Sequence, residues 1–320
     1  MKRWSLFGYL GSIALGFAVL AGCASLDEKQ RSWIFQPSDA SWGSSADMAR
    51  EMQDVWISFD STTTGSPAKL HGLWLPADPA QPGWSGSAKA PVLLYLHGAR
   101  WNVAGSAPRI KRMQELGFSV LAIDYRGFGK STPGLPSEAM AYEDAQVAWN
   151  WLAQQNPGQP RYIFGHSLGG AIAIDLASKV DDEAGTIVEG TFTSILDVAS
   201  SMKWGWLPLA PLITQHFASE QKVGHLGAPL LVVHGSNDNM ILPALGRKLF
   251  EAAKGPKAFV LVEGGSHFNT MNLGQDQYRA ALAGLFGTAG PGPNTQQGTM
   301  AMQTHVDIGG NISSTPSTPN

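Results

Sequence analysis

Short, continuous apolar runs recur between residues 55 and 262, and no other feature restricts the fold of this chain as much. Residues 55–59 and 70–75 read as two strands joined by a loop that holds Gly65 and Pro67. Runs at 92–96, 120–123, 162–164, 187–189, 230–233 and 258–262 follow. Runs this short and this uniformly apolar fit strands buried on both faces of a parallel sheet. Helical patterns separate them. Residues 137–155 open on Ser137, a plausible N-cap, and repeat apolar residues at Ala141, Ala145, Ala148 and Leu152. Residues 168–180 are rich in alanine, and 243–253 start with Pro243, where a helix tolerates proline. The alternation predicts an α/β domain over 54–286, built on a mostly parallel, doubly wound sheet. In such sheets ligands bind outside the carboxyl ends of the strands, so the residues just after each strand carry the argument.

Composition narrows the function. Apolar residues make up 43% of the chain, enough for a large core, and charged residues 15%. The formal net charge of -3 speaks against a nucleic-acid partner. Cys23 is the one cysteine, which excludes an intramolecular disulfide and a cysteine-built metal site. The histidines are scattered, with no HExxH pair, so neither metal nor cofactor is expected.

Both ends of the chain read as lying outside the domain. Lys2 and Arg3 precede an apolar run over 6–21, short for a membrane span of roughly 20 residues. With small residues at its end, this is the pattern of a signal peptide over 1–22. Residues 23–53 are polar with scattered tryptophans and read as a tether or arm. Residues 287–320 are rich in Gly, Pro, Ser, Thr and Asn and read as a disordered tail.

The strand ends supply a constellation. After the strand at 162–164 comes Gly165-His166-Ser167-Leu168-Gly169-Gly170, a G-x-S-x-G between strand and helix. A nucleophile elbow needs that context, and glycines at its flanks to make room for the turn. After 230–233 comes Asp238, and after 258–262 comes His267 on a glycine-rich loop. Ser, Asp and His then stand in the chain order of an α/β-hydrolase triad: nucleophile, orienting acid and general base. Acyl transfer also needs two N–H donors for the oxyanion. Leu168, just after the nucleophile, and Ala99, after the strand at 92–96, are the candidates. Arg100 and Trp101 extend that second loop toward a substrate pocket. His97, His166 and His234 sit beside these positions and read as structural. Asp124 and Glu189 also end strands; Asp124 reads as a carboxylate that holds the following loop or pairs with Arg126.

Between 197 and 223 an insert carries Trp204, Trp206, Leu207, Leu209, Leu212 and Phe217. It reads either as a small apolar cap over an acyl group or as short helices packed on the sheet edge.

Taken in order, Leu96-His97-Gly98, Asp124-Tyr125-Arg126-Gly127-Phe128-Gly129-Lys130-Ser131, the elbow, Glu189-Gly190-Thr191-Phe192-Thr193-Ser194 and Val233-His234-Gly235 resemble the Bem46-like, serine aminopeptidase S33-like branch of the α/β-hydrolase superfamily. The resemblance implies a cofactor-free serine hydrolase with Ser167, Asp238 and His267 as its triad and Ala99 and Leu168 in its oxyanion hole. Many members carry asparagine where this chain has Ala99, so the pocket wall Ala99-Arg100-Trp101 is its own. Leu20-Ala21-Gly22-Cys23 resembles a bacterial lipobox, which implies a lipid on Cys23 and an envelope location, with Ala24 implying the outer membrane. An esterase of short to medium acyl groups is the expected activity. A peptidase, a lysophospholipase or monoglyceride lipase, and a non-catalytic envelope lipoprotein are the alternatives.

Overall fold

A computed structural model describes residues 22, 24–38, 44–78, 90–202, 206–208, 210–287 and 307–308. The signal-peptide run, Cys23, Trp204 and most of the tail lie outside them. Among the described residues no helix is long and apolar enough to cross a membrane.

The strands form one sheet in the order β1-β2-β4-β3-β5-β6-β7-β8-β9. β1 (Gln53–Asp60) and β2 (Pro67–Leu75) make an antiparallel hairpin at one edge. β3 (Val92–Leu96), β4 (Ser119–Ile123), β5 (Arg161–His166), β6 (Gly185–Glu189), β7 (Leu230–Gly235) and β8 (Lys257–Val262) run parallel. Every residue of β3, β4 and β6 is buried, which is why β3 and residues 120–123 of β4 read as unbroken apolar runs and not as alternating ones. In the expected disordered tail, Asp307–Ile308 form β9 and pair antiparallel with Phe259 and Ala258 of β8.

Each face of the sheet has its own core. Leu94, Leu96, Ile163 and Val232 point to one, packed under α4 (Glu138–Gln155) and α5 (Leu168–Ala177). Leu93, Tyr95, Phe164 and Val233 point to the other, with Ile110 and Met113 of α3 (Ala107–Glu115) and Tyr278 of the helix Gln275–Phe286. Tyr95 and Phe164 stack there at 5.0 Å. Fully burying each such side chain contributes about 1.5–3 kcal/mol. Ser137 caps α4 as expected, its hydroxyl accepting from Met140 N.

The arm 23–53 is not a free tether. A helix over 24–35 (α1) is followed by α2 (Ser45–Arg50). Ile34 and Phe35 are buried in the first core, and Phe35 meets Phe128 and Phe217 edge-on at 6.3 and 5.8 Å. Arg31 donates to the carbonyl of Pro136 at 2.8 Å and to that of Leu135.

The insert at 197–223 is thin. It holds the end of α6 (Ile195–Ser200), a 3-10 turn at Ala210–Leu212 and α7 (Ser219–Lys222). Phe217 is its buried anchor, whereas Trp206 is 75% exposed.

The register sets the site. Leu96 pairs with Gly165, His166 with Glu189, and Gly235 with Val262. The strands therefore end at one level, and the loops bearing residues 97–101, 166–168, 190, 236–238 and 263–267 emerge together.

Candidate active site

Ser167 has φ 56 and ψ −122, a conformation side chains avoid, which costs about 1–3 kcal/mol. The turn holds because its backbone is pinned. Ser167 N donates to Glu189 O at 2.9 Å, and its carbonyl accepts from Gly170 N and from the Thr191 hydroxyl, each at 2.9 Å. A Cβ at Gly165 would collide with the carbonyl of Gly169, and one at Gly169 with that of Leu96. These glycines are the structural condition for the elbow.

The three residues expected to act together do meet. His267 Nε2 lies 2.9 Å from Ser167 Oγ, and His267 Nδ1 lies 2.8 Å from Asp238 Oδ2. The other oxygen of Asp238 accepts from the N–H groups of Met240 and Ile241 at 2.9 Å each. Burial opposes the Asp238 charge, but hydrogen bonds from His234, His267 and Ile241 outweigh it and hold its pKa well below the usual carboxylate value. An imidazole placed this way can take the serine proton while the carboxylate holds its tautomer.

The neighbouring histidines and acids take structural places. His166 Nε2 lies 3.0 Å from the His267 carbonyl and 3.2 Å from Arg109 Nη2; burial first, then Arg109, depress its pKa well below the imidazole range, so the ring is neutral. His97 Nδ1 donates to Gly98 O at 2.7 Å, and His234 Nε2 meets Ile241 O at 2.9 Å. The Asp124 carboxylate is turned to another loop than the one expected: it accepts from Val103 N at 2.6 Å, in the turn after β3, and meets His71 Nδ1 at 3.1 Å, while the following loop is bonded through the backbone carbonyl of Asp124, which accepts from the Ser131 hydroxyl at 2.7 Å. It does not pair with Arg126, which bonds Asp144 and Glu143 at 2.6 Å each.

The loop after β3 lies against the nucleophile: a Cβ on Gly98 would sit 3.0 Å from that of Ser167. Among the described residues neither Ala99 N nor Leu168 N has an intramolecular acceptor, as oxyanion donors should not. Arg100 and Trp101 both adopt left-handed backbone, with φ 70 and 58.

Sequence reasoning missed Arg109. It emerges from α3 onto the back of the site, 3.2 Å from Glu189. Glu189 in turn accepts from the Tyr278 hydroxyl at 2.5 Å. α3 is rich in basic residues, and nothing in its pattern marks which of them turns inward.

A cavity of about 60 Å³ opens over Ser167, walled in part by Gly98, Ala99, Arg100, Trp101, His267 and Phe268. Arg100 and Trp101 therefore stand where the pocket was expected. A larger cavity of about 680 Å³ shares Arg100, Trp101, Arg109 and Phe268 with it. Trp206 lies on neither wall. Of the insert, Ser201 and Met202 line a third cavity, beside His267.

Known proteins share this architecture. The profile of the serine aminopeptidase S33 family matches residues 87–219, which span the loop after β3 and the elbow. An uncharacterised protein of Mycobacterium tuberculosis (strain H37Rv) is 33% identical over 241 residues, 75% of this chain and 80% of its own length. The lysophosphatidylserine lipase ABHD12 of Danio rerio is 32% identical over 208 residues, 58% of this chain but only 54% of its own length. The Pyrococcus furiosus esterase Pf2001 shares the fold, with a TM-score of 0.58 at 20% identity over 79% of this chain and 96% of that one. The chain belongs to the serine aminopeptidase S33-like family of the α/β hydrolases.

Proposed function

We propose that this hydrolase cleaves carboxylic esters of short to medium acyl length through an acyl-enzyme on Ser167. The hydrogen-bonded line Ser167–His267–Asp238 carries the reading. His267 Nε2 takes the hydroxyl proton as Ser167 Oγ attacks the carbonyl carbon. The N–H groups of Ala99 and Leu168 receive the oxyanion. The C–O bond to the alcohol breaks as His267 returns the proton to the leaving oxygen. Water then attacks the acyl-enzyme, His267 accepts its proton, and the acid leaves with Ser167 restored.

Two observations favour a small ester over a peptide amino terminus. The cavity over Ser167 is about 60 Å³, and among the described residues its wall holds no Asp or Glu to bind an α-ammonium group. Each methylene buried adds about 0.8 kcal/mol, so kcat/KM rises with acyl length until the pocket is full. The test is kcat/KM across p-nitrophenyl esters beside a panel of aminoacyl amides. An optimum at short to medium chains with poor amides supports the proposal; better turnover of the amides makes the enzyme a peptidase.

We also propose that Cys23 carries a lipid that anchors the enzyme to the bacterial envelope. The support is the apolar run closed by Leu20-Ala21-Gly22-Cys23. Wild type should need detergent for extraction and Cys23→Ser should not; release of wild type without detergent would refute the anchor.

A further inference from the structure

The oxyanion loop is not held by the hydrolase core alone. Arg100 and Trp101 are consecutive non-glycine residues in the left-handed region, at φ 70 and 58. Side chains with a Cβ disfavour that region, so the loop needs outside support to stay there. The support comes from the end of the N-terminal arm. Arg100 N donates to Phe35 O at 2.8 Å, and Trp101 O accepts from Ser38 N at 3.3 Å. Pro37 and Trp101 form a parallel bridge. Arg100 Nε donates to Gln36 Oε1 at 3.1 Å. The arm is rigid where it does this: Phe35 is fully buried, and Gln36, itself left-handed at φ 47, donates its N–H to Ser32 O at 3.2 Å.

We propose that Phe35 and Gln36 are positioning residues for catalysis: their backbone track fixes Arg100 and Trp101, and through them aims Ala99 N–H at the oxyanion. This rests on the serine-hydrolase reading above. Among the described residues the arm bonds neither His267 nor Asp238, so its loss should weaken transition-state stabilisation and leave the general base unchanged.

The full chain tests this with substitutions at one half-buried side chain. Gln36→Pro cannot hold a positive φ and breaks the track without removing a core residue. Removing one oxyanion donor costs about 100- to 1,000-fold in kcat, so misaiming one should cost about tenfold. We expect Gln36→Pro to lower kcat on p-nitrophenyl acetate about tenfold, with KM within twofold and the pH–rate midpoint unmoved. Fluorophosphonate inactivation should slow in parallel. Gln36→Gly, which suits a left-handed position but lacks the acceptor for Arg100 Nε, should lose less kcat than Gln36→Pro. A folded Gln36→Pro protein with wild-type kcat overturns the proposal. If that variant does not fold by circular dichroism, Gln36→Ala and Gln36→Glu decide. A loss of kcat in the first, restored by the acceptor oxygen of the second, supports it; equal kcat in both and in wild type overturns it. The hydrolase reading stands or falls separately, on the dependence of the intact chain's activity on Ser167.

Discussion

Arg109 and Glu189 meet at 3.2 Å behind His267, the carboxylate buried and the guanidinium partly exposed. The other amine of Arg109 reaches the carbonyls of His267 at 3.2 Å and Phe268 at 3.1 Å. The pair thus ties α3, the end of β6 and the histidine loop into one unit. Arg109→Met would leave Glu189 buried without its cation. Breaking a fully buried pair this way costs about 3–5 kcal/mol, an upper bound here because Arg109 is partly exposed. Because the histidine loop loses its support as well, kcat should fall about tenfold or more, since displacing a catalytic group by 1 Å can cost about 100-fold. Urea unfolding beside ester kinetics checks both; a stability loss with unchanged kcat would make the pair purely structural.

Strain at the elbow gives a second prediction. Ser167 sits at φ 56 and ψ −122. Glycine adopts such angles freely, whereas alanine does not. Ser167→Gly should therefore be more stable than Ser167→Ala by about 1 kcal/mol, the relieved strain exceeding glycine's extra unfolded-state entropy. Paired thermal melts measure it, and equal stability would mean that the turn carries no strain.

A third concerns pH and His71. Its ring is buried in β2, with Nε2 2.5 Å from Asp54 and Nδ1 3.1 Å from Asp124. Burial opposes its charge, but hydrogen bonds to Asp124 and Asp54 outweigh burial and raise its pKa above the ordinary 6.5. The folded chain then holds this proton more tightly than the unfolded one. The resulting stability is complete below about pH 6.5 and is lost as pH rises through the raised folded value. His71→Asn should cost more stability at pH 6 than at pH 9. A cost that is the same or larger at pH 9 would contradict the assignment.

The sheet was legible because burial on both faces leaves an unbroken apolar run, as in β3 and at 120–123 of β4. The hydrogen-bonded cluster of Ser167, His267 and Asp238 was legible because Gly165, Gly169 and the strand-end positions of Asp238 and His267 constrain side chain and backbone together. The arm was not. Ile34 and Phe35 are two apolar residues in a polar stretch, and only docking against Phe128 and Phe217 buries them. α3 escaped for a related reason, since its basic residues mask the buried Ile110 and Met113. Trp206 misled in the other direction: weighed as part of a roof, it is turned to solvent.

The central claim is that Ser167 is the nucleophile, activated by His267 and Asp238. The direct measurement is covalent labelling of the intact protein with a fluorophosphonate, followed by mass spectrometry to locate the adduct. The adduct should lie on Ser167. Ser167→Ala should abolish labelling and lower ester turnover about 10⁴-fold or more, and Asp238→Asn should slow both by about 10⁴-fold through the wrong imidazole tautomer. An adduct on another residue, or full turnover by Ser167→Ala, would contradict the account.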